Sequence, residues 1–299
     1  MRTDGRGKKA EGKGVAAAMK KKKRLKKVFL SYVVIAIIGI VLLYPIIWMF
    51  FASFKTNDEI FGSTRLLADS YSLDSFIQGW RGSGNITYKS YFLNTFKLVL
   101  PVTGFTLLSS ILVAYGFARF EFRGKKVLFA VLIATLMLPN SVIIVPRYAM
   151  FAKLGWVDTY LPFFVPALLA CYPFFIYMLI QFLRGIPREL DESAYMDGCG
   201  TFQTLIKILL PLMKPALFSA ALFQFMWTYN DYFNQLVFIN SGKKFTISLA
   251  LRLSLDAESV VNWGKIMAIS FIAVAPLVVL FFAAQKYFVE GIATSGLKG

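Results

Sequence analysis

Two stretches of the sequence concentrate side chains that can do chemistry, and both lie in apolar surroundings. The first, ELDESAYMDGCG at residues 189–200, carries four carboxylates and a Gly-x-Gly pair. The second, QFMWTYNDYFNQ at residues 224–235, mixes amides and one carboxylate with large aromatic rings. Carboxylates can accept charge-assisted hydrogen bonds from a cationic partner. Amides beside aromatic rings suit a solute that offers hydroxyl groups and apolar faces.

Local rules predict a helix–turn–helix for the first stretch. Pro187 suits the first turn of a helix, and the carboxylates of Glu189, Asp191 and Glu192 in that turn then favour the positive end of its dipole. Gly198 permits the left-handed backbone that ends a helix, and an apolar helical stripe continues from there to Pro211. Two interpretations stay open, because an amphipathic hairpin that only caps a bundle and one that docks another protein share this pattern.

The second stretch predicts a solute path inside an apolar segment. Polar groups within a membrane usually face the bundle interior or a cavity. The candidates are Asn140, which follows Pro139, and Gln224, Trp227, Tyr229, Asn230, Asp231 and Asn234. The aromatic members could instead belong to an interfacial belt. Asn140 could instead satisfy backbone groups that Pro139 leaves free.

These residues must be positioned by membrane helices. The chain is 57% hydrophobic and only 16% charged, where a soluble domain carries about a quarter charged residues. Segments of about 20 apolar residues can cross a bilayer, and the sequence predicts six, at residues 28–54, 92–117, 127–146, 160–183, 211–239 and 264–289. We therefore expect an all-α polytopic membrane protein with a cytoplasmic helix–turn–helix.

Basic residues predict the orientation of these spans. Residues 1–27 hold twelve Lys or Arg against Asp4 and Glu11, which predicts a cytoplasmic tail with no fold of its own. Nucleic-acid binding is the alternative for this tail. The basic loop 119–126 is expected inside, and the loops 55–91 and 240–263 outside. Both termini are then cytoplasmic, and residues 28–299 form one transmembrane domain.

Several chemistries are excluded by residue types. The chain has no His, which removes histidine metal sites and His-dependent nucleophilic catalysis. Its two cysteines, Cys171 and Cys199, fall in a predicted span and a predicted cytoplasmic loop, so they predict no disulfide. The stretch GKKAEGKG ends in Gly14 where a phosphate loop needs Ser or Thr, and no strand precedes it. We expect no catalytic residue, metal or cofactor on this chain.

The first stretch resembles a family signature. Glu192, Ala194 and Gly198, followed by Ile208, Leu210 and Pro211, match the pattern E-A-A-x3-G-x9-I-x-L-P of membrane subunits of binding-protein-dependent ABC importers. Ser193 replaces the middle alanine. FASFKTNDEI, FLRGIPRELDESAYMDG and QKYFVEGIATSGLKG also look like the second, six-span permease subunit of maltose-type sugar importers, so the resemblance covers nearly all of residues 28–299.

The resemblance implies a function, a set of partners and a location. Such a subunit pairs with a homologous permease, sits on two cytoplasmic ATPase subunits that bind ATP and magnesium, and receives a sugar from an extracellular binding protein. It lies in the cell membrane of a bacterium or archaeon. Residues 187–210 would form the coupling loop, with ATPase-contacting positions at Glu189, Glu192, Ser193, Ala194, Asp197, Gly198, Ile208, Leu210 and Pro211.

Other functions stay open beside that one. Maltose-type permeases vary in solute, and a glycerol phosphate is the alternative within transport. An integral-membrane enzyme and a stand-alone channel are the alternatives from other classes.

Overall fold

The computed structural model describes residues 5–82, 86–255 and 261–296, with side chains for 26–82, 86–255 and 261–285. Over these ranges the chain is helical and contains no strand. The longer helices are α1 Gly5–Ala52, α4 Tyr88–Arg119, α5 Lys125–Leu136, α6 Asn140–Lys153, α8 Pro173–Arg184, α12 Lys214–Asn230 and α15 Trp263–Gly296. The shorter ones are α2 Asn57–Gly62, α3 Asp74–Trp80, α7 Leu161–Leu168, α9 Glu189–Met196, α10 Thr201–Thr204, α11 Leu210–Leu212, α13 Phe233–Phe238 and α14 Ile247–Ser254. A π-helical turn occupies Leu205–Leu209, and a 3₁₀ turn occupies Gly242–Lys244.

Four helical stretches of the described chain are long and apolar enough to cross a membrane. They are Lys26–Ala52, Tyr88–Arg119, Leu161–Arg184 and Trp263–Gln285. Two further pairs of helices qualify only if each bent pair counts as one span: α5 with α6, bent by 105°, and Thr201–Leu212 with α12, bent by 78°. The described residues therefore contain four to six candidate spans. This confirms an all-helical chain with several apolar helices, whereas the number six stays a prediction.

Prolines explain where the apolar segments break. The sequence predicts a span over 127–146, but α5 ends at Leu136 and α6 begins at Asn140 after Pro139. A residue before proline avoids the α conformation, so helices usually end there. The segment Leu161–Arg184 is likewise interrupted before Pro173, where Ala170 takes a left-handed φ of 59°.

The long helix α4 is the centre of the bundle. It packs against α7, α8 and α12, and Leu98, Val99 and Val102 on its N-terminal half are fully buried. Its C-terminal half shares a core with α8 and the π-helical turn through Ala114, Leu179 and Leu209, which are also fully buried. Burial of this kind stabilises by about 1.5–3 kcal/mol per large apolar side chain. A substitution in the buried face of α4 therefore alters its packing against neighbouring helices, which are α7, α8 and α12.

The first and last long helices pack against each other. Helix α1 begins at Gly5, so the basic tail, for which we expected no fold of its own, enters it directly. The rings of Phe50 and Phe271 lie 5.0 Å apart between α1 and α15. At Gly264 an added Cβ would come within 2.7 Å of the Lys55 carbonyl oxygen, so only glycine allows this approach. Elsewhere α1 presents exposed apolar side chains such as Phe29 and Leu42, as a lipid-facing helix does.

Asp158 links two loops by hydrogen bonds, the loop between α6 and α7 and the loop that follows α13. It has a left-handed φ of 59°. One carboxylate oxygen accepts the backbone N–H groups of Asn240 and Ser241, at 3.0 and 2.8 Å. The other accepts the Ser241 hydroxyl at 2.5 Å and the Lys244 ammonium at 2.9 Å. The bonds from the Ser241 hydroxyl and from Lys244 hold the pKa of Asp158 below its usual range. We call this contact the loop latch.

Candidate functional site

One cavity brings most of the predicted solute-path residues together. It has a volume of about 460 Å³ and lies where α6, α7, α12 and the segment after α12 meet. Its wall includes Asn140, Phe163, Tyr172, Gln224, Met226, Trp227, Thr228, Asn230, Asp231 and Asn234. Six of the seven candidates from the sequence are among them. Residues almost a hundred positions apart in the chain thus face one space, which a purely interfacial aromatic belt does not require.

A chain of hydrogen bonds crosses the cavity wall and links separate elements. The Arg147 guanidinium donates to the Asn140 side-chain oxygen at 3.3 Å, and the Asn140 amide donates to the Asn234 oxygen at 3.2 Å. The Asn234 amide donates in turn to both carboxylate oxygens of Asp231, at 3.0 and 2.9 Å. We call these four side chains the polar ladder. It joins α6 to the break between α12 and α13.

Arg147 is a member of the site that the sequence prediction missed. It lies on α6 seven residues after Asn140, so the two occupy the same helix face. Its guanidinium lies 5.5 Å from the ring centre of Phe238 and 5.9 Å from that of Phe151. The seven-residue spacing from a predicted site residue, directly after Pro146, was the signal that could have found it.

An aromatic surface forms another part of the wall. Trp227 is half exposed, and its ring lies 4.9 Å from that of Phe174 and 5.2 Å from that of Phe175. These neighbours limit the ring's movement. A fixed, exposed indole beside amide groups can stack on an apolar face of a solute while the amides bond its hydroxyls.

Two candidates on α12 have environments that the sequence did not distinguish. Gln224 is 2% exposed; its amide donates to the Thr228 hydroxyl at 3.0 Å, while its carbonyl oxygen has no hydrogen-bond partner among the described residues. An unpaired buried carbonyl is costly unless something else bonds it, so this oxygen is a candidate acceptor in the cavity wall. Tyr229 does not line the cavity: it is buried, and its hydroxyl donates to the Ala273 carbonyl of α15 at 2.8 Å.

The second predicted site folds as a hairpin, which we define as residues 189–212. Helix α9 ends at Met196, Gly198 adopts a φ of 81°, and the second arm begins at Thr201. The left-handed turn predicted at Gly198 is thus present. The π-helical turn Leu205–Leu209 follows, before Pro211 and the 78° bend into α12. A widened turn accommodates a proline ring that would otherwise strike the preceding turn.

The hairpin has a buried face and an exposed face. Ala194, Leu205 and Leu209 are buried against the bundle, with Ile208 and Leu210 partly buried beside them. Glu189, Glu192, Ser193 and Asp197 are exposed. So are the apolar side chains of Tyr195, Met196 and Phe202, with Met196 88% exposed. Carboxylates next to uncovered apolar side chains are typical of a surface that another protein contacts.

Asp191 is a second residue that the site prediction omitted. Its carboxylate lies 3.0 Å from the Nε of Arg119 at the C-terminal end of α4, and both side chains are largely buried. Burial raises the pKa of Asp191, and the charges of Arg119 and then Arg188 act in the opposite direction. Sequence spacing placed Asp191 in the first turn of α9 but gave no sign that α4 supplies its partner.

Comparison with known proteins identifies the family of this chain. Residues 106–294 match the family described as binding-protein-dependent transport system inner membrane component. A probable ABC transporter permease of Bacillus subtilis, YurM, is 34% identical over 87% of this chain and 85% of its own length. The trehalose/maltose transport system permease MalG of Thermococcus litoralis and the arabinooligosaccharides transport system permease AraQ of Halalkalibacterium halodurans are each 30% identical, over 88% of this chain and 94% of theirs.

A solved structure shares the fold. A chain of a bacterial ABC transporter involved in import of the acidic polysaccharide alginate superimposes with a TM-score of 0.76. The match covers 87% of this chain and 95% of that one, at 21% sequence identity.

Proposed function

Because the chain belongs to the family of binding-protein-dependent transport system inner membrane components, a group of transport permeases, we propose that it is a permease subunit of an ATP-driven importer of a sugar or oligosaccharide. It is a multi-pass membrane protein, and we infer six spans with both termini in the cytoplasm. Its cavity forms half of the solute path. The other half belongs to a homologous permease, and an extracellular binding protein delivers the solute.

The observation that carries the sugar assignment is the make-up of the cavity. Its wall offers amide donors and acceptors on Asn140, Asn230 and Asn234, together with the exposed indole of Trp227. A sugar needs both, since its hydroxyl groups require hydrogen bonds and its CH faces favour an aromatic surface. The relatives that transport trehalose, maltose and arabinooligosaccharides support this solute class.

The hairpin couples the membrane helices to the hydrolysis of ATP. We infer that its exposed face docks on one of two cytoplasmic ATPase subunits, which hold ATP and magnesium. The exposed carboxylate of Glu192 accepts a bond from a cationic group of that subunit, and Met196 and Phe202 provide apolar contact. Closure of the ATPase pair then moves the attached helices as near-rigid bodies, which exposes the cavity alternately to the two sides.

The cleanest test of the solute path is Asn230→Leu. The Asn230 amide is exposed and donates only to the carbonyl of Met226 in its own helix, so its loss leaves the contacts between helices unchanged. Loss of one hydrogen bond to solute costs about 1 kcal/mol, or a roughly fivefold fall in uptake. Uptake is measured in proteoliposomes holding the complete transporter, with the sugar that its co-purified binding protein carries.

The matched control is Tyr229→Phe at the neighbouring position. It removes a hydroxyl that bonds the Ala273 carbonyl outside the cavity. We expect it to alter thermal stability and leave the affinity for sugar unchanged. If Asn230→Leu assembled normally and transported at the full rate and affinity, the cavity would not be the solute path.

A further inference from the structure

The hairpin is attached to the bundle covalently and through side chains. The covalent attachment alone would transmit movement of the hairpin poorly. Its second arm continues into α12 through the π-helical turn Leu205–Leu209, Pro211 and a 78° bend at Met213. Pro211 has no N–H to donate, and π-helical turns and bends are the places where helices yield. A force on the hairpin could therefore pivot the arm at this segment without moving α12.

The second attachment is made of side chains and ends on α4. Arg119 pairs with Asp191 of the first arm, Nε to Oδ2 at 3.0 Å, and also donates to the Ile186 carbonyl at 3.1 Å. Arg188 donates to the Ala118 carbonyl at 3.4 Å. The Tyr115 hydroxyl donates to the Thr201 carbonyl of the second arm at 3.0 Å. The last five residues of α4 thus hold both arms of the hairpin.

The Arg119–Asp191 pair stands out among these contacts because it is buried. The two side chains are 7% and 13% exposed. The other ion pair of this region, Lys125–Glu121, has a glutamate that is 77% exposed. Exposed pairs contribute little, whereas removing one partner of a buried pair leaves an uncompensated charge. Among the polar contacts of the hairpin, the buried pair is therefore the one most able to resist a pivot; it holds the first arm, while Leu205 and Leu209 pack the second arm into the core.

From its other end α4 reaches the cavity. Leu98 and Val102 pack in one core with Phe163 and Phe238; Phe163 lines the cavity, and Phe238 lies under the guanidinium of Arg147. Helix α4 also packs along α12, which carries Gln224, Trp227 and Asn230 of the cavity wall. A continuous helix of 32 residues therefore connects the hairpin to the cavity wall by a route separate from the bend at Met213.

We propose that Arg119 and Asp191 are positioning residues that brace the hairpin against α4, so that ATP-driven movement of the hairpin reaches the cavity through α4 and is not lost at the bend. The proposal rests on the coupling function proposed above. Without the brace, the ATPase subunits still bind and hydrolyse ATP, but the movement of the hairpin no longer changes access to the cavity.

The test measures cavity access without requiring the transported sugar. In a chain lacking Cys171 and Cys199, Asn230→Cys places one thiol in the cavity wall. The complete transporter is purified with its ATPase subunits, and labelling by a water-soluble maleimide is timed with and without ATP. In the parent chain we expect ATP to change the labelling rate severalfold. Arg119→Gln and, separately, Asp191→Asn should abolish this ATP-dependent change while ATP hydrolysis continues.

Rescue and control variants separate bracing from general damage. The double variant Arg119→Asp with Asp191→Arg restores the opposite charges and should recover most of the ATP-dependent change. Glu121→Gln removes the exposed pair of the same region and should leave the change intact. Spin labels at Met196→Cys and Leu100→Cys report the brace directly: their distance distribution should stay narrow in the parent chain and broaden in Arg119→Gln.

The outcomes distinguish a failure of the brace from a failure of the proposed transport function. If ATP changes the labelling rate equally in the parent chain and in both single variants, the brace is wrong and the transport function stands. The same conclusion follows if the spin-label distances do not broaden. If ATP has no effect on the parent chain itself, the proposed function fails, and the inference built on it fails too.

Discussion

Gly198 offers the sharpest test of the hairpin, because the structure isolates a single cause. Its φ is 81°, and a Cβ built at this position would meet no atom within 4 Å. A substitution there therefore creates no clash, and its whole effect comes from the backbone conformation. A left-handed conformation costs a residue with a Cβ about 1–2 kcal/mol, which is a roughly five- to thirtyfold loss in the population of the correct turn. Valine should be worse than serine, because β-branched residues adopt this region least readily.

Gly200 provides a matched control two residues away. It also has open space around a built Cβ, but it lies at the start of the second arm with φ −73° and ψ 164°, which any residue adopts. Serine is also a favoured residue at a helix N-cap. Gly200→Ser should therefore be neutral, while Gly198→Ser and Gly198→Val should be progressively harmful.

The assay is retention of the ATPase subunits when this chain is pulled down, together with sugar uptake at equal membrane abundance. We expect Gly200→Ser to match the parent chain, and the two Gly198 variants to lose ATPase subunits and uptake in the order serine, then valine. Equal retention and uptake across all three variants would show that the geometry of the turn does not matter, and the hairpin would then be a passive cap.

Four other outcomes are expected from the same structure. The loop latch should respond to acid: since the pKa of Asp158 is lowered by folding, its carboxylate stabilises above the unfolded value of about 3.9 and loses that effect as the pH falls below it. Protection of the Asn240 and Ser241 amides from hydrogen exchange, taken relative to the unprotected rate at the same pH, should be constant from pH 8 to 5 and fall below about pH 4, and protection that is unchanged down to pH 3 would contradict the latch. Leu179→Ala in the α4–α8 core, where the side chain is fully buried, should cost about 2–5 kcal/mol of unfolding free energy, whereas Leu128→Ala on the exposed face of α5 should cost little; equal thermal unfolding of the two variants would contradict the assigned core. In a chain without Cys171 and Cys199, single cysteines at Ser72 and Asn240 should react with an impermeant thiol reagent outside intact cells, while one at Ser193 should not, and the reverse pattern would overturn the orientation. The purified chain free of partner subunits should hydrolyse no ATP, and hydrolysis by it would contradict a separate ATPase chain.

Much of the helical architecture follows from apolar runs alone. The segments around α4 and α15 are long and contain few charged residues, so hydropathy predicts them as helices that can span a membrane. The breaks are harder to predict. Pro101, Pro146 and Pro276 lie inside helices, whereas the chain turns by 105° at Pro139. A proline permits a break, but packing of the flanking segments decides whether one forms.

The cavity could be predicted in part, for a reason visible in the spacing. Trp227 and Thr228 lie three and four residues after Gln224, so the three share one face of α12, and all three line the cavity. Tyr229 falls with Phe225 on another face, which packs on α15. The sequence prediction nevertheless included Tyr229, and only the structure places it outside the cavity. By contrast, the pairing of Arg119 with Asp191 joins residues 72 positions apart, and no local pattern predicts it.

The close approach of α1 and α15 has a consequence for how the protein is made. Over the described residues, the main neighbour of the helix nearest the start of the chain is the helix nearest the end, through contacts such as Phe50 with Phe271 and the Lys55 carbonyl against Gly264. Chains are synthesised from the N-terminus at about 5–20 residues per second. For the roughly 200 residues between these contacts, α1 must therefore wait in the lipid while the rest of the bundle is inserted. Docking of α1 is then a late step, and a ribosome that stops before residue 264 leaves a membrane-inserted helix without its neighbour.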